Sequence, residues 1–440
     1  MRLLENNKIF DFIFKKAFKD YSLTKISSDA LENTLKTFDK KEIGVYIHIP
    51  FCTGFCKYCT YTKFKWDEDK ARKYTDSLKK ELLNYSNLLK GSTIVDLYVG
   101  GGTPSLIEAD VYSDILNILN DNFEFRAELS IEANPEDMSE RKIDKLLNAG
   151  VKRISLGVQS LNPKYIKLLG RRYSLDTAKR AIANTLKANF ELVNLDLLYS
   201  LPGQTIPELT EDLMEILSYG PHQITTYPLL ADPSTKIFHE MQSGKIPKKT
   251  DGEKNREMFY TITDTLTKAG YIQDKAYIFS KGEKENYEST NIEMEGDYFG
   301  IGCGAYSCMG GLEYSNTHFL DEYIETVNSN SFTLPITLGK KLTQKEKMWK
   351  WFISRLCTFY VNEKDFKKAF DEELKKHFGM IYKTTNLLGI TKNNGNGFEV
   401  TRKGKYIVNL AIWSFVQDVV CGMINTKCQT SPIIDGSEST

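Results

Sequence analysis

Between Ile43 and about Asp232, short runs rich in β-branched residues alternate with longer charged stretches whose apolar residues recur at helical spacing. The strand candidates are Gly44–Ile49, Ile94–Val99, Ala127–Glu132, Val151–Leu156, Leu192–Leu198 and Gln223–Pro228. Between them lie amphipathic stretches such as Asp67–Leu89, Glu136–Ala149, Ser174–Ala188 and Pro207–Leu217. This order predicts βαβ units and a parallel sheet, because parallel neighbours need a helical crossover. At least five successive units suit an α/β barrel of the TIM type or part of one, with ligands at the carboxyl ends of the strands.

After Asp232 the alternation loosens. A helix candidate, Lys254–Ala269, leads to the Gly-rich stretch Gly300–Gly311, and from Leu342 the pattern becomes helical. The chain closes with GFEVTRKGKYIVNLAIWSF, which reads as a short hairpin and a helix, so the end resembles a small winged-helix domain. The expected division is an N-terminal helical extension over 1–42, a barrel core over 43–235 and a completion of the barrel with the Gly-rich loop over 236–338. A C-terminal domain over 339–425 and a flexible tail over 426–440 follow.

A chain of 440 residues can bury a core without staples, so its eight Cys are not needed as a disulfide framework. With 41% apolar and 26% charged residues, intrinsic disorder is excluded. No stretch approaches the ~18 apolar residues of a membrane span. The N-terminal MRLLENNKIFDFIFKKAFKDY breaks its apolar residues with charges and reads as an amphipathic helix, not a signal peptide. A cytoplasmic monomer without membrane attachment is the expectation. Net charge is zero, 58 basic against 58 acidic residues, yet Lys340–Lys405 carries 16 basic and 7 acidic ones. Most charge runs are solvated faces, so this asymmetry alone is a weak sign of an anionic partner, and nucleic acid is not expected.

Cys52, Cys56 and Cys59 form Cys-x3-Cys-x2-Cys in YIHIPFCTGFCKYCTY, directly after the first strand candidate. Three thiolates on one loop suit three irons of a [4Fe–4S] cube, leaving the fourth iron open for chemistry. The alternative is zinc with His48 or a distant Cys as fourth ligand. Zinc normally takes a second pair of ligands, and no second C-x2-C or H-x3-H pair exists here. Three further features stand at strand ends: the turn Gly100-Gly101-Gly102-Thr103-Pro104, Glu132 in SIEANPE, and Asp196 in NLDLLYSLPGQT. Glycine lets backbone approach a ligand closely, and a strand-end carboxylate can hold an ammonium or a hydroxyl.

The cysteine motif with its YIHIPF lead-in resembles the radical S-adenosylmethionine enzymes. More narrowly, it is similar to the oxygen-independent coproporphyrinogen III oxidase group, which also holds heme chaperones, anaerobic heme-degrading enzymes and radical methyltransferases. The resemblance covers Tyr46 to about Phe415 and implies a partial (β/α)6 barrel. It implies a [4Fe–4S] cluster on Cys52, Cys56 and Cys59, with S-adenosylmethionine chelating the open iron, and one or two molecules of that cofactor in all. By the same resemblance Gly101, Gly102 and Thr103 bind the methionine end of that cofactor. Tyr46, Tyr58, Glu132, Gln159, Arg171, Asp196 and Tyr306 contact it elsewhere. His48 receives no role, since a lone His beside a strand is more often packed and hydrogen-bonded. Cys303 and Cys308 read as small buried hydrophobes.

The chemistry implied is reductive cleavage to a 5′-deoxyadenosyl radical that abstracts a substrate hydrogen, with a flavodoxin or ferredoxin as electron donor. The first expectation is coproporphyrinogen III oxidase-like chemistry on a carboxylate-bearing tetrapyrrole. A radical methyltransferase and a heme chaperone with little turnover are the alternatives. Two departures bear on the substrate. Thr60 and Tyr61 follow Cys59, so the oxidases' C-x3-C-x2-C-x-C lacks its fourth Cys, and the oxidases' Arg-Tyr-Thr-Ser-Tyr-Pro segment has no match in FKDYSLTKISSDAL. The chaperones' Cys-Asp-Phe is missing too, while GIGCGAYS resembles their version of that loop.

Overall fold

The computed structural model describes residues 23–26, 28–38, 42–282, 296–329 and 334–412. The N-terminal amphipathic stretch, the tail over 426–440, Cys421 and Cys428 lie outside them.

Six strands form the heart of the fold: β1 (Glu42–Ile49), β2 (Thr93–Gly101), β3 (Leu129–Ala133), β4 (Val151–Gln159), β5 (Leu192–Tyr199) and β6 (Gln223–Pro228). They pair in chain order and all in parallel. Each contains a strand expected from the sequence or overlaps it. Their side chains are buried along nearly the whole length, as strands covered by helices on one face and filled on the other must be. The crossovers are α1 (Glu68–Leu88), α2 (Ala109–Asn122), α3 (Glu140–Asn148), α4 (Leu175–Lys187) and α5 (Ile206–Tyr219). Local chemistry sets their starts. Asp67 accepts from Lys70 N at 2.9 Å, Ser174 accepts from Thr177 N at 3.1 Å, and Thr205 with Glu208 forms a capping box. Helix α3 starts later than the amphipathic pattern suggests because Pro135–Asp137 makes a 3-10 turn first, and Ser139 then caps it.

Beyond the six strands the sheet turns mixed. A hairpin, β7 (Tyr271–Gln273) and β8 (Ile278–Lys281), pairs antiparallel with β6. On the other side β9 (Tyr298–Ile301) lies parallel to β1, followed by antiparallel β10 (Tyr306–Met309), β11 (Leu312–Asn316) and β12 (Ile336–Lys341). The short strand Thr24–Lys25 pairs with β12, so the N-terminal segment expected to be helical also contributes strand. Among the described residues the two outer strands are not paired with each other, which makes the structure a partial barrel. The Gly-rich stretch, read as a loop, is half strand, with turns between and after the two strand segments. Gly302 (φ 103°) passes so close to β1 that a Cβ there would lie 2.7 Å from the carbonyl oxygen of His48.

The C-terminal part has helices Gln344–Cys357, Glu363–Phe370 and Leu374–Leu387, a three-stranded sheet of Tyr360–Asn362, Thr391–Asn393 and Gly397–Val400, and a helix over 402–412. This is the winged-helix arrangement expected. Its core holds Trp351, Phe366 and Phe398 around Phe352 and Phe378, whose rings stack 4.1 Å apart. That core continues onto Ala276, Tyr277 and Ile278 of the β7–β8 hairpin. Asn409, buried, donates to the carbonyl of Ala276 at 3.0 Å and accepts from Tyr199 Oη at 3.1 Å, tying the last helix to the end of β5. No helix among the described residues is long and apolar enough to cross a membrane.

Candidate functional site

Register places every carboxyl end of the parallel strands on one side, and there a cavity of about 430 Å3 opens. That volume lies in the range of small-molecule sites. Cys52, Cys56, Cys59 and Tyr58 line it from the loop after β1, and Gly101, Gly102 and Thr103 from the turn after β2. Glu132 ends β3, Gln159 ends β4, Arg171 follows the next short helix, and Asp196 lies near the end of β5; all four face the cavity. Tyr46 and Tyr306 do not line it. Tyr46 stacks on Tyr98 at 6.1 Å between ring centres and hydrogen-bonds His48, while Tyr306 lies 6.0 Å from the ring of His318.

The cysteine loop is braced from several sides. Thr103 donates to Cys52 Sγ at 3.6 Å, and Arg171 Nη1 donates to Cys56 Sγ at 3.2 Å. Lys63 Nζ donates to the carbonyl of Cys59 at 2.8 Å. His48 serves the same loop: its Nε2 meets the carbonyl of Thr62 at 3.1 Å and its Nδ1 meets Tyr46 Oη at 2.9 Å. A carbonyl only accepts, so Nε2 carries the proton and Nδ1 accepts from the tyrosine. His48 is therefore packed and hydrogen-bonded, as read from the sequence. Burial pushes the Cys52 thiol up to about 11 and raises that of Cys59 as well. Thiols so disposed ionise when a metal takes the place of their protons.

The glycine turn lines the cavity and also packs against the cysteine loop. A Cβ on Gly102 would lie 2.7 Å from the carbonyl oxygen of Phe51 and 3.0 Å from Cys52 Sγ. On Gly101 (φ 119°) it would lie 2.7 Å from the His48 ring. These glycines let the turn press against the cysteine loop; their missing side chains face protein rather than a ligand.

Three carboxyl groups line the cavity, those of Glu132, Asp196 and Asp232. Glu132 accepts from Tyr98 Oη at 2.7 Å and from Gly101 N at 3.0 Å. Asp196 accepts from Ser155 Oγ at 3.1 Å and Asn194 Nδ2 at 2.8 Å. Burial, and then the like charge of Glu132, pushes Asp196 up to about 7. Gln159 adopts φ 64°, outside the conformations ordinary for its type, where β4 bulges away from β5. Gly157 leaves room for its amide: a Cβ there would stand 3.0 Å from Gln159 Nε2.

Asn134 was missed in the sequence reading. It lies two residues past Glu132, and period-2 spacing at the end of β3 was the available signal. Its Oδ1 accepts from Arg171 Nη2 at 2.6 Å and its Nδ2 donates to Thr103 Oγ1 at 3.0 Å. The outer wall was missed as well. Leu198, Tyr227, Leu230, Tyr277 and, from the C-terminal domain, Ile412 form an apolar and aromatic side, with Tyr227 and Tyr277 stacked at 5.5 Å. Lys63 and Arg171 are the basic residues among the lining groups. The basic Lys340–Lys405 segment does not reach the cavity. Many of its charges meet acids away from the cavity, Lys350 with Glu313, Lys367 with Glu373, Lys375 with Glu363 and Arg402 with Asp264 among them.

The residues fit a cluster-and-cofactor pair. Three thiols share one loop, two have side-chain donors beside them, and the buried Nε of Arg171 has no hydrogen-bond partner. Cys303, Cys308 and Cys357 are buried outside this cavity and, like the other described cysteines, stand outside any disulfide.

Comparison with known proteins agrees with this arrangement. The Radical SAM superfamily model matches residues 46–216. The heme chaperone HemW of Bacillus subtilis (strain 168) is 26% identical over 380 residues, covering 86% of this chain and all of the relative. HemW of Escherichia coli (strain K12) is 31% identical over 267 residues, covering 60% of this chain and 69% of the relative. The structure of coproporphyrinogen III oxidase (HemN) from Escherichia coli, a radical SAM enzyme, superposes with a TM-score of 0.78 at 22% identity. It covers 90% of this chain and 97% of the other, which is a likeness of fold.

Proposed function

The chain belongs to the radical SAM superfamily, in the coproporphyrinogen III oxidase-like group that includes heme chaperones, and from that premise we propose that it holds a heme-type tetrapyrrole over a [4Fe–4S] cluster and S-adenosylmethionine. Membership implies the cluster and the cofactor. In this reading Cys52, Cys56 and Cys59 hold three irons. Glu132, held by Tyr98 and Gly101, meets the cofactor's ammonium, and Arg171 offers its unpartnered Nε to the carboxylate side. Gln159 and Asp196 meet the nucleoside half. When bound, the pair supplies one-electron reductive cleavage of a carbon–sulfur bond. The residues of this chain bind it, orient it and keep water away with the apolar outer wall.

The observation that carries the tetrapyrrole reading is that outer wall. Tyr227, Tyr277, Leu230 and Ile412 offer a flat ring apolar contact at the mouth. A substrate bearing several carboxylates needs cations, and the two that line the cavity already serve the protein: Lys63 donates to the carbonyls of Cys59 and Tyr61, and Arg171 to Cys56 and Asn134. Holding heme therefore fits better than decarboxylating coproporphyrinogen, in line with the lost fourth Cys at Thr60–Tyr61. The test is anaerobic reconstitution with iron and sulfide, then titration with heme and product analysis. Stoichiometric heme binding with about four non-heme irons per chain and no carbon dioxide from coproporphyrinogen III is expected. Carbon dioxide release would replace this reading by the oxidase, and S-adenosylhomocysteine beside 5′-deoxyadenosine by the methyltransferase.

A further inference from the structure

Asn134 sits between two of the three thiols. Arg171 has no acceptor, so the Asn134 atom 2.6 Å from its Nη2 is Oδ1. The amide nitrogen then faces Thr103 Oγ1 at 3.0 Å, and because that nitrogen only donates, the threonine hydroxyl accepts there. Its single proton is left for Cys52 Sγ at 3.6 Å. On the opposite side Arg171 Nη1 donates to Cys56 Sγ at 3.2 Å. One side-chain amide thus orients a hydroxyl toward one sulfur and a guanidinium toward another. The amide is itself held: its backbone N donates to Ser105 Oγ at 3.3 Å, and Ser105 donates to Asp137 at 2.7 Å.

We propose that Asn134 is a positioning residue that couples Cys52 and Cys56 through Thr103 and Arg171 and thereby raises the cluster's reduction potential. The inference rests on the cluster reading above and deepens it. Hydrogen bonds to cluster sulfurs stabilise the more negative, reduced state, so donors held on target make the cluster easier to reduce. Without the amide, the Thr103 hydroxyl is free to rotate and Arg171 loses the anchor on its Nη2 side, keeping Gly157 O, Cys56 Sγ and the Tyr173 ring. Cys59 takes no part in this network, so the effect falls on two of the three ligand positions.

The experiment is a redox titration followed by electron paramagnetic resonance on the full chain, reconstituted anaerobically, for wild type, Asn134→Ala, Thr103→Val and the double variant. Asn134→Ala should lower the reduced-to-oxidised ratio at a fixed potential about tenfold, which for one electron is about 59 mV, with iron content and thermal melting close to wild type. Thr103→Val should shift the potential the same way by less. The double variant should shift it no further than Asn134→Ala, because Thr103 acts through Asn134. An unmoved potential in Asn134→Ala, or additive shifts in the double variant, would overturn the coupling while leaving the cluster in place. A wild-type chain that takes up no iron–sulfur cluster would overturn the reading beneath it as well.

Discussion

Tyr98 donates its phenolic proton to Glu132 across 2.7 Å, from the strand next to the one that carries the carboxylate. The register that sets Tyr98 opposite Ser130 brings the ring alongside Glu132, and Gly101 N completes the grip. Glu132 is thus pre-aimed at the cavity. Removing one such bond costs about 1 kcal/mol, so Tyr98→Phe should weaken S-adenosylmethionine binding about fivefold in calorimetry on the reconstituted protein. An unchanged affinity would show that Glu132 does not meet the cofactor.

Asp196 carries a pH signature. Its folded value of about 7 lies above the ordinary 3.8, chiefly through burial and then through Glu132. Below pH 7 the carboxyl is neutral; above it, the group is charged and, in the proposed reading, accepts from cofactor hydroxyls. Cofactor affinity should therefore rise between pH 6 and 8 in the wild type and stay flat across that range in Asp196→Asn.

The parallel heart of the fold was legible because its signals are local. β-Branched runs mark the strands, and Ser174 or Thr205 with Glu208 mark where helices begin. The antiparallel addition was not legible, because what shapes Gly300–Gly311 is far away in sequence. Glu81 of α1 accepts from Gly302 N at 2.8 Å, and Tyr74 Oη accepts from Cys303 N at 2.9 Å. At the site, the cysteine spacing and the strand-end acids could be read. Asn134 was signalled only by its period-2 spacing from Glu132, and an Asn before a Pro equally marks a turn. The apolar outer wall is assembled from β5, β6, the β7–β8 hairpin and the C-terminal helix, so no single window of sequence displays it.

Glu81 also gives stability a pH dependence of unusual sign. Burial pushes its carboxyl from 4.5 to about 7 while Tyr323, Gly302 and Asn316 donate to it. A folded value above the unfolded one means the native state binds the extra proton. Its contribution is therefore fully present below pH 4.5 and is lost as pH rises through 7. At about 1.4 kcal/mol per pKa unit the swing is on the order of 3 kcal/mol. Melting of the chain should show this decline from pH 5 to 8, and Glu81→Gln should flatten it.

Gly102 offers a steric test. A methyl there meets the carbonyls of Phe51 and Ile49, at 2.7 and 3.0 Å, and backbone cannot give way cheaply. Gly102→Ala should cost about 1–3 kcal/mol and lower iron uptake, because the contact it breaks is the one that seats the cysteine loop. Normal iron content in Gly102→Ala would show that the loop is seated by other contacts.

Ile412 and Cys59 face the same cavity although 353 positions separate them along the chain. At a synthesis rate of roughly 5–20 residues per second, the three thiols leave the ribosome roughly 20–70 s before the residue that completes the outer wall. For that interval the cysteine loop belongs to an unfinished barrel, open to whatever would deliver iron and sulfide in the proposed reading. Once the last helix docks through Asn409, Ile412 completes the apolar side of the cavity that the same loop lines.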